Sequence, residues 1–324
     1  MTETTLPTID LQPLLDGTNE GLNLVSGDIR RAYTETGFSY LINHGVPQGL
    51  IDKAFEAGRR FHTLPLKRKM AIETNRWHRG YIPINTSTIV TSSIARVTKP
   101  NQSESFMMMH DLPDDDPDVL AGKPLAGPNQ WPPSCPGFRE TVMQYNDTLR
   151  SLCQMLMPAV SVALGGGPTD LGPYFKRPTT FLRLLHYPAI AGPRDEDLYG
   201  SAPHTDYGFI TVLAQDEAGG LQVRPKGGEW IDAPPIPGAF IMNTGDITAR
   251  WSNGRFLSTP HRVYNRQNRD RYSMAFFFDP NMDSRIACLP SCADEANPPR
   301  YESVVYGDYL MERLNANHAY RHKR

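Results

Sequence analysis

Between residues 179 and 280 the chain falls into short runs of aliphatic, β-branched and aromatic residues, punctuated by Gly and Pro: 181–187, 209–214, 221–224, 239–242, 261–263 and 271–278. A series of this kind predicts an all-β sandwich or jelly roll. Upstream the apolar period lengthens to that of helices. Residues 28–36 read as a helix capped near Ser26 and stopped by Gly37, followed by a strand over 38–42. Leu50, Ala54, Ala57 and Phe61 then recur at helical spacing over 48–64, which predicts a helix packed on the barrel exterior.

After Gly137 the positions Val142, Tyr145, Leu149, Leu152, Leu156 and Val160 predict the main helix, interrupted or kinked at Pro158 and stopped at Gly165, Gly166 and Gly167. Residues 301–314 read as a last helix with Val304, Val305, Tyr309 and Leu310 on its apolar side. Residues 111–136, dense in Pro, Gly and Asp, read as an irregular surface loop, and the Thr-, Ser- and Val-rich stretch up to Lys99 as a pocket wall or lid. The fold class is therefore mainly β with flanking helices. One enzyme unit is expected: a mixed helical leader over 1–175, a catalytic core over 176–285, and a loop, helix and basic tail over 286–324.

Composition narrows the class of function. Thirty-three basic against 35 acidic residues leave a net charge of −2, so there is no electrostatic case for nucleic acid, and a small-molecule substrate is expected. No apolar run approaches the roughly 20 residues of a membrane span, and the polar start Met1-Thr2-Glu3-Thr4-Thr5 does not read as a signal peptide, so no membrane partner and a cytoplasmic location are expected. Cys135, Cys153, Cys288 and Cys292 are too few and scattered for a disulfide framework, and Cys288 and Cys292 lack the second pair that a structural zinc site needs. The assembly is expected to be a monomer or homodimer.

Against this background three residues stand out. In an extended strand His204 and Asp206 of His204-Thr205-Asp206 share one face, so an imidazole and a carboxylate can take adjacent positions on one metal ion. His261, from a distant strand, would complete a triangle and leave the opposite positions open, as ferrous oxygenases require to bind a cosubstrate and dioxygen. A catalytic zinc ion can use the same ligand set. Arg271 and Ser273 lie one residue apart in a strand-like run, so their side chains can grip one carboxylate together: the guanidinium offers a bidentate fork and the hydroxyl one more donor. Tyr207 and Phe277 would place two aromatic faces beside the open side of the metal, suited to a planar heterocycle, with Arg183 donating to a carbonyl or carboxylate. Asp246 is a candidate to orient the imidazoles. His44 and His78 sit in turns, and His62, His110, His318 and His322 lack metal spacing, so surface or structural roles are expected for them; His186 is expected in the core, facing away from Tyr187.

The order His204-x-Asp206, Gly219-Gly220-Leu221-Gln222-Val223, Asn243-Thr244-Gly245-Asp246, His261-Arg262-Val263 and Arg271-x-Ser273 resembles the 2-oxoglutarate and iron(II)-dependent oxygenases of the isopenicillin N synthase-like family. Pro7-Thr8-Ile9-Asp10-Leu11 and the segment 37–46 match that family's leader region, so the resemblance covers nearly the whole chain. It implies a double-stranded β-helix (jelly roll) core, with Fe(II) held by His204, Asp206 and His261, and 2-oxoglutarate held by Arg271 and Ser273 with Tyr187 alongside. It further implies oxidation, most simply hydroxylation, by dioxygen with release of succinate and CO2. Arg79-Gly80-Tyr81-Ile82-Pro83 resembles a family turn near the active site, and microbial members place substrate contacts at the positions of Arg183, Tyr207 and Phe277. Plant members carry an asparagine where this chain has Leu185, so one contact to the cosubstrate is absent. Three other readings share these motifs: fragmentation of 2-oxoglutarate to ethylene, oxidation without 2-oxoglutarate, and metal binding without turnover.

Overall fold

A computed structural model describes residues 5–89, 92, 94–189, 197–265 and 268–317. The leader contributes β1 (Thr8–Asp10), α1 (Gln12–Leu15), α2 (Asn19–Glu35), β2 (Phe38–Ile42), α3 (Gln48–His62) and α4 (Leu66–Met70). It continues through β3 (Gly80–Ile82), β4 (Glu104–Met109), α5 (Pro117–Leu120) and α6 (Phe138–Ala163). The barrel region follows as β5 (Thr179–Tyr187), β6 (Ser201–His204), β7 (Ile210–Gln215), β8 (Leu221–Val223), β9 (Ile231–Asp232), β10 (Phe240–Thr244), α7 (Asp246–Trp251), β11 (His261–Val263) and β12 (Arg271–Asp279). A hairpin of β13 (Arg285–Ile286) and β14 (Val304–Val305) leads into α8 (Tyr306–Asn317).

An eight-stranded sheet in the order β1-β2-β10-β7-β12-β5-β4-β3 faces a four-stranded sheet, β6-β11-β8-β9, and the two form the jelly roll. Period-two alternation assigns the faces. On β12 the residues Arg271, Ser273, Ala275 and Phe277 look into the barrel, while Met274, Phe276 and Phe278 pack outward in the main core with α3 and α6. Leu185, Tyr187, Leu221, Val223, Ile241, Val263 and Ala275 form a second, inner cluster between the sheets.

Several elements depart from the sequence reading. α2 starts at Asn19, not near residue 28: Thr18 caps it by accepting from the Gly21 amide (3.0 Å), and Ser26 lies buried inside the helix with its hydroxyl bonded to Leu22 O. Gly21 obscures the helical pattern but is required, since a Cβ there would sit 1.9 Å from Pro13 O on α1. α6 runs through Pro158 as one uninterrupted helix. The loop 111–136 holds the short α5, and α8 begins only at Tyr306, because Val304 and Val305 pair with β13 instead. β3 and β4 were not anticipated; the run Glu104–Met109 is wholly buried between β3 and β5, so it lacks the polar alternation of a half-exposed strand. The basic tail 318–324, with His318 and His322, and residues 90, 91 and 93 of the Thr/Ser/Val stretch lie outside the described residues. Among the described residues no helix is long and apolar enough to cross a membrane.

Candidate metal centre and adjoining pockets

β6 is an edge strand, where Pro203 costs no ladder hydrogen bond, and it ends at His204. Only His204 of the His-x-Asp motif is therefore in a strand; Thr205 and Asp206 belong to the turn that follows. β11 pairs with β6 so that His261 stands directly opposite His204, with ring centroids 4.2 Å apart. The turn returns Asp206 between them. Its Oδ1 lies 3.9 Å from His204 Nε2 and 3.7 Å from His261 Nε2, and the ligating atoms of the three residues all lie within 4.8 Å of one another. Gly208 makes this turn possible, for a Cβ there would fall 1.9 Å from Asp279 Oδ1.

Hydrogen-bond partners around the trio orient its side chains. His204 Nδ1 lies 2.7 Å from Ala202 O and His261 Nδ1 lies 3.3 Å from Thr259 O; a carbonyl only accepts, so each Nδ1 carries the proton and each Nε2 presents a lone pair to the centre. Burial, then the neighbouring His261, push His204 down to about 4, which keeps its ring neutral at physiological pH. Burial alone would raise Asp206, but His261 and His204, together with hydrogen bonds from Asn243 and Thr211, outweigh it and hold the carboxyl below its usual range. Two imidazole nitrogens and one carboxylate converging on one point suit a divalent cation.

Deeper in the barrel, a cavity of about 80 Å³ is lined by Tyr187, Arg271 and Ser273 together with the trio. Arg271 is 1 % exposed, and among the described residues no carboxylate is ion-paired with it. Its Nε donates to Gly219 O, its Nη1 lies 3.1 Å from Ser273 Oγ, and its guanidinium stands 4.5 Å from the Tyr187 ring. A buried cation without a counter-ion is costly unless an anionic ligand supplies one. Arg79, equally buried, shows the contrast: its guanidinium donates to Asn129 Oδ1 and to the carbonyls of Trp77, Leu125 and His110, so it works as a structural brace in the Arg79–Pro83 segment rather than in the pocket.

Towards the barrel mouth a cavity of about 130 Å³ contains Arg183, Tyr207 and Phe277, the three residues expected beside a substrate. Arg183, His204, Asp206 and Phe277 border both cavities, so two members of the trio lie at their junction, while His261 faces the inner cavity alone. Arg183 is steadied by Ser105, whose Oγ is 2.9 Å from its Nε.

Sequence reasoning missed several walls of this cavity. Ser87 and Ile89 confirm part of the Thr/Ser/Val stretch as pocket wall, but His78, Asn101 and Met107, and Leu310, Leu314 and Asn317 of α8, were not anticipated. The periodicity of α8 signalled a buried face without saying what it covers. Asp246 does not orient the imidazoles: its carboxylate accepts from Ser258 Oγ (2.6 Å) and Tyr309 OH (3.0 Å), tying α7 to α8. Of the surface or structural roles expected for His62 the structure shows the structural one: His62, Glu104 and His186 form a second cluster behind β5, with His186 facing away from Tyr187 as expected. Glu104 already accepts both oxygens' worth of bonds from Lys69 (3.0 and 2.7 Å), His186 (2.8 Å) and Tyr81, so the ammonium neutralises it and leaves no need for a metal. All four cysteines are free.

Comparison with known proteins agrees with this architecture. Residues 178–280 match the model of the 2OG-Fe(II) oxygenase superfamily, and residues 6–134 match that of the non-haem dioxygenase N-terminal region named for morphine synthesis. A 2-oxoglutarate-Fe(II) type oxidoreductase of Emericella nidulans is 33 % identical over 317 residues, covering 96 % of this chain and 89 % of its own. A homoarginine-6-hydroxylase of Glycine max is 32 % identical over 328 residues, 96 % of this chain and 97 % of its own. Among solved structures, Neurospora crassa thymine 7-hydroxylase in complex with α-ketoglutarate and thymine superposes with a TM-score of 0.83 at 30 % identity, over 96 % of each chain. Nothing in these likenesses favours ethylene formation, oxidation without 2-oxoglutarate or binding without turnover. The chain belongs to the 2-oxoglutarate and iron(II)-dependent oxygenases, non-haem dioxygenases that consume 2-oxoglutarate and dioxygen to oxidise a small molecule, with release of succinate and CO2.

Proposed function

We propose that this enzyme hydroxylates a small planar heterocycle bearing carbonyl groups, with iron(II) held by His204, Asp206 and His261. When bound, the iron couples oxidative decarboxylation of 2-oxoglutarate to oxidation of the substrate. The chain's own residues do the rest. Arg271 and Ser273 grip the distal carboxylate of 2-oxoglutarate, with the Tyr187 ring flanking it, in the deeper cavity. Arg183 donates to a substrate carbonyl while Tyr207 and Phe277 flank the ring in the outer cavity. Leu310, Leu314 and Ile89 keep water from the junction. A thymine complex of the Neurospora crassa relative supports the heterocycle reading. Catalysis involves one unit, with the leader (1–175) backing the core (176–285) and α8 of the C-terminal segment (286–324) walling its outer cavity; four free cysteines suit a reducing compartment such as the cytoplasm.

The observation that carries this reading is a His/Asp/His trio whose His204 and Asp206 border two cavities, one of them ending in a buried arginine without a carboxylate partner among the described residues. Succinate formation from 2-oxoglutarate with iron(II) and oxygen, measured against a panel of pyrimidines, purines and small acids with mass spectrometry of each additive, tests it. Stimulation by a pyrimidine or purine that gains one oxygen is the expected result. Stimulation only by a non-planar acid would overturn the heterocycle assignment while leaving the metal site standing.

A further inference from the structure

Thr211 on β7 and Asn243 on β10 are directly paired across antiparallel strands, both buried and both facing into the barrel. They converge on a single atom. Thr211 Oγ1 donates to Asp206 Oδ2 at 2.6 Å and Asn243 Nδ2 donates to the same oxygen at 2.8 Å. The other oxygen, Oδ1, is the one that faces the Nε2 atoms of His204 and His261 at 3.9 and 3.7 Å. A carboxylate oxygen that accepts two strong hydrogen bonds has its lone pairs committed, so the two ends of this carboxylate are chemically unequal.

The consequence concerns how many positions a metal keeps free. A carboxylate that swings to ligate through both oxygens occupies one more position than one that ligates through a single oxygen. A 2-oxoglutarate oxygenase needs its open side for the cosubstrate and for dioxygen. We propose that Thr211 and Asn243 are positioning residues that lock Asp206 to ligation through Oδ1 alone, and so preserve the open positions. This rests on the metal assignment of the preceding section. The pairing fixes the two backbones that carry the donors, and Asp206 O in turn accepts the Asp246 amide at 2.8 Å, fixing the carboxylate's own backbone.

Anaerobic titration of the metal-free protein with cobalt(II), followed by visible absorption, tests the inference without turnover. Thr211→Val removes the hydroxyl at nearly constant shape, Asn243→Leu removes the amide, and Thr211→Ser keeps the donor. The Val and Leu variants are expected to bind cobalt(II) about 10- to 100-fold more weakly, the range for loss of an outer hydrogen bond to a ligand. They are also expected to shift the absorption of the cobalt complex and to weaken the further spectral change on adding 2-oxoglutarate, while Thr211→Ser restores the wild-type spectrum. The melting temperature of each metal-free variant separates this from a merely structural role, which would lower it and leave the spectrum of the bound metal unmoved. An unchanged affinity and spectrum in both Val and Leu variants overturns the lock. Failure of the wild-type protein to take up one equivalent of cobalt(II) instead overturns the metal assignment beneath it.

Discussion

The Arg271 guanidinium stands 4.5 Å from the ring of Tyr187, the residue directly opposed to it in the β5–β12 register. Two positions 84 residues apart in sequence are thereby joined as one wall of the inner cavity. Arg271→Ala is expected to raise KM for 2-oxoglutarate at least about 30-fold, since truncating one side of a buried charged contact costs about 2–5 kcal/mol. Without cosubstrate, the melting temperature should hold or rise, because the variant removes an uncompensated buried charge. An unchanged KM would place the anion site elsewhere.

Behind the same strand, Glu104 is bonded by Lys69, His186 and Tyr81, with His62 Nδ1 at 3.4 Å. Burial works against its ionisation, yet the bonds from His186, His62, Lys69 and Tyr81 outweigh that and hold it far below the usual carboxylate range. Glu104→Gln leaves Lys69 as an unpaired buried charge, and a loss of about 3–5 kcal/mol in unfolding free energy is expected. Lys69→Met combined with Glu104→Gln should cost less than the sum of the single changes. Strict additivity in a denaturant double-mutant cycle would show the pair to be uncoupled.

The parts of this site that were legible in the sequence are those whose chemistry is local. His204, Asp206, His261, Arg271 and Ser273 each belong to a short motif, and β11 and β12 carry enough period-two pattern to set their faces. Thr211 and Asn243 were hidden for a different reason. Each reads as an ordinary strand residue, and only the β7–β10 register, a pairing between segments about 30 residues apart, brings them to one oxygen. The Asn243-Thr244-Gly245-Asp246 run pointed to the right segment but to the wrong side chain, because an acidic residue looks like a better partner for histidine than an amide does. The α8 contacts are longer in range still: Asn317 donates to Tyr207 OH across 110 residues, and no periodicity encodes that.

That α8 contact leads to a prediction about the outer cavity. Leu310 and Leu314 are one helical turn apart and both line it, opposite Arg183 and Met107 on the sheet. Leu314→Trp should fill much of a space of about 130 Å³. The expected result is loss of substrate-stimulated succinate formation by about 10-fold or more, a 1.4 kcal/mol effect, with the affinity for 2-oxoglutarate nearly unchanged because Arg271 lies in the deeper cavity. Equal loss of both would mean that the helix supports the whole barrel mouth and not the substrate wall in particular.

Asp279 joins α8 to the turn that carries Asp206, accepting from the Phe209 amide (2.6 Å) on one oxygen and from Tyr306 OH (2.7 Å) on the other. Burial raises its carboxyl from 3.8 to about 7 despite those bonds. A carboxyl raised in the folded state favours folding in its neutral form, so its contribution is fully present below about pH 4 and is lost as pH climbs through about 7. The loss is on the order of a few kcal/mol. Asp279→Asn keeps an acceptor for Phe209 and cannot ionise, so its stability relative to wild type should improve from pH 4.5 to about pH 7 and level off above that in denaturant titrations. Parallel stability curves for the two proteins would show that Asp279 is not the titrating group, and that the junction of α8 with the 206–209 turn is insensitive to its charge.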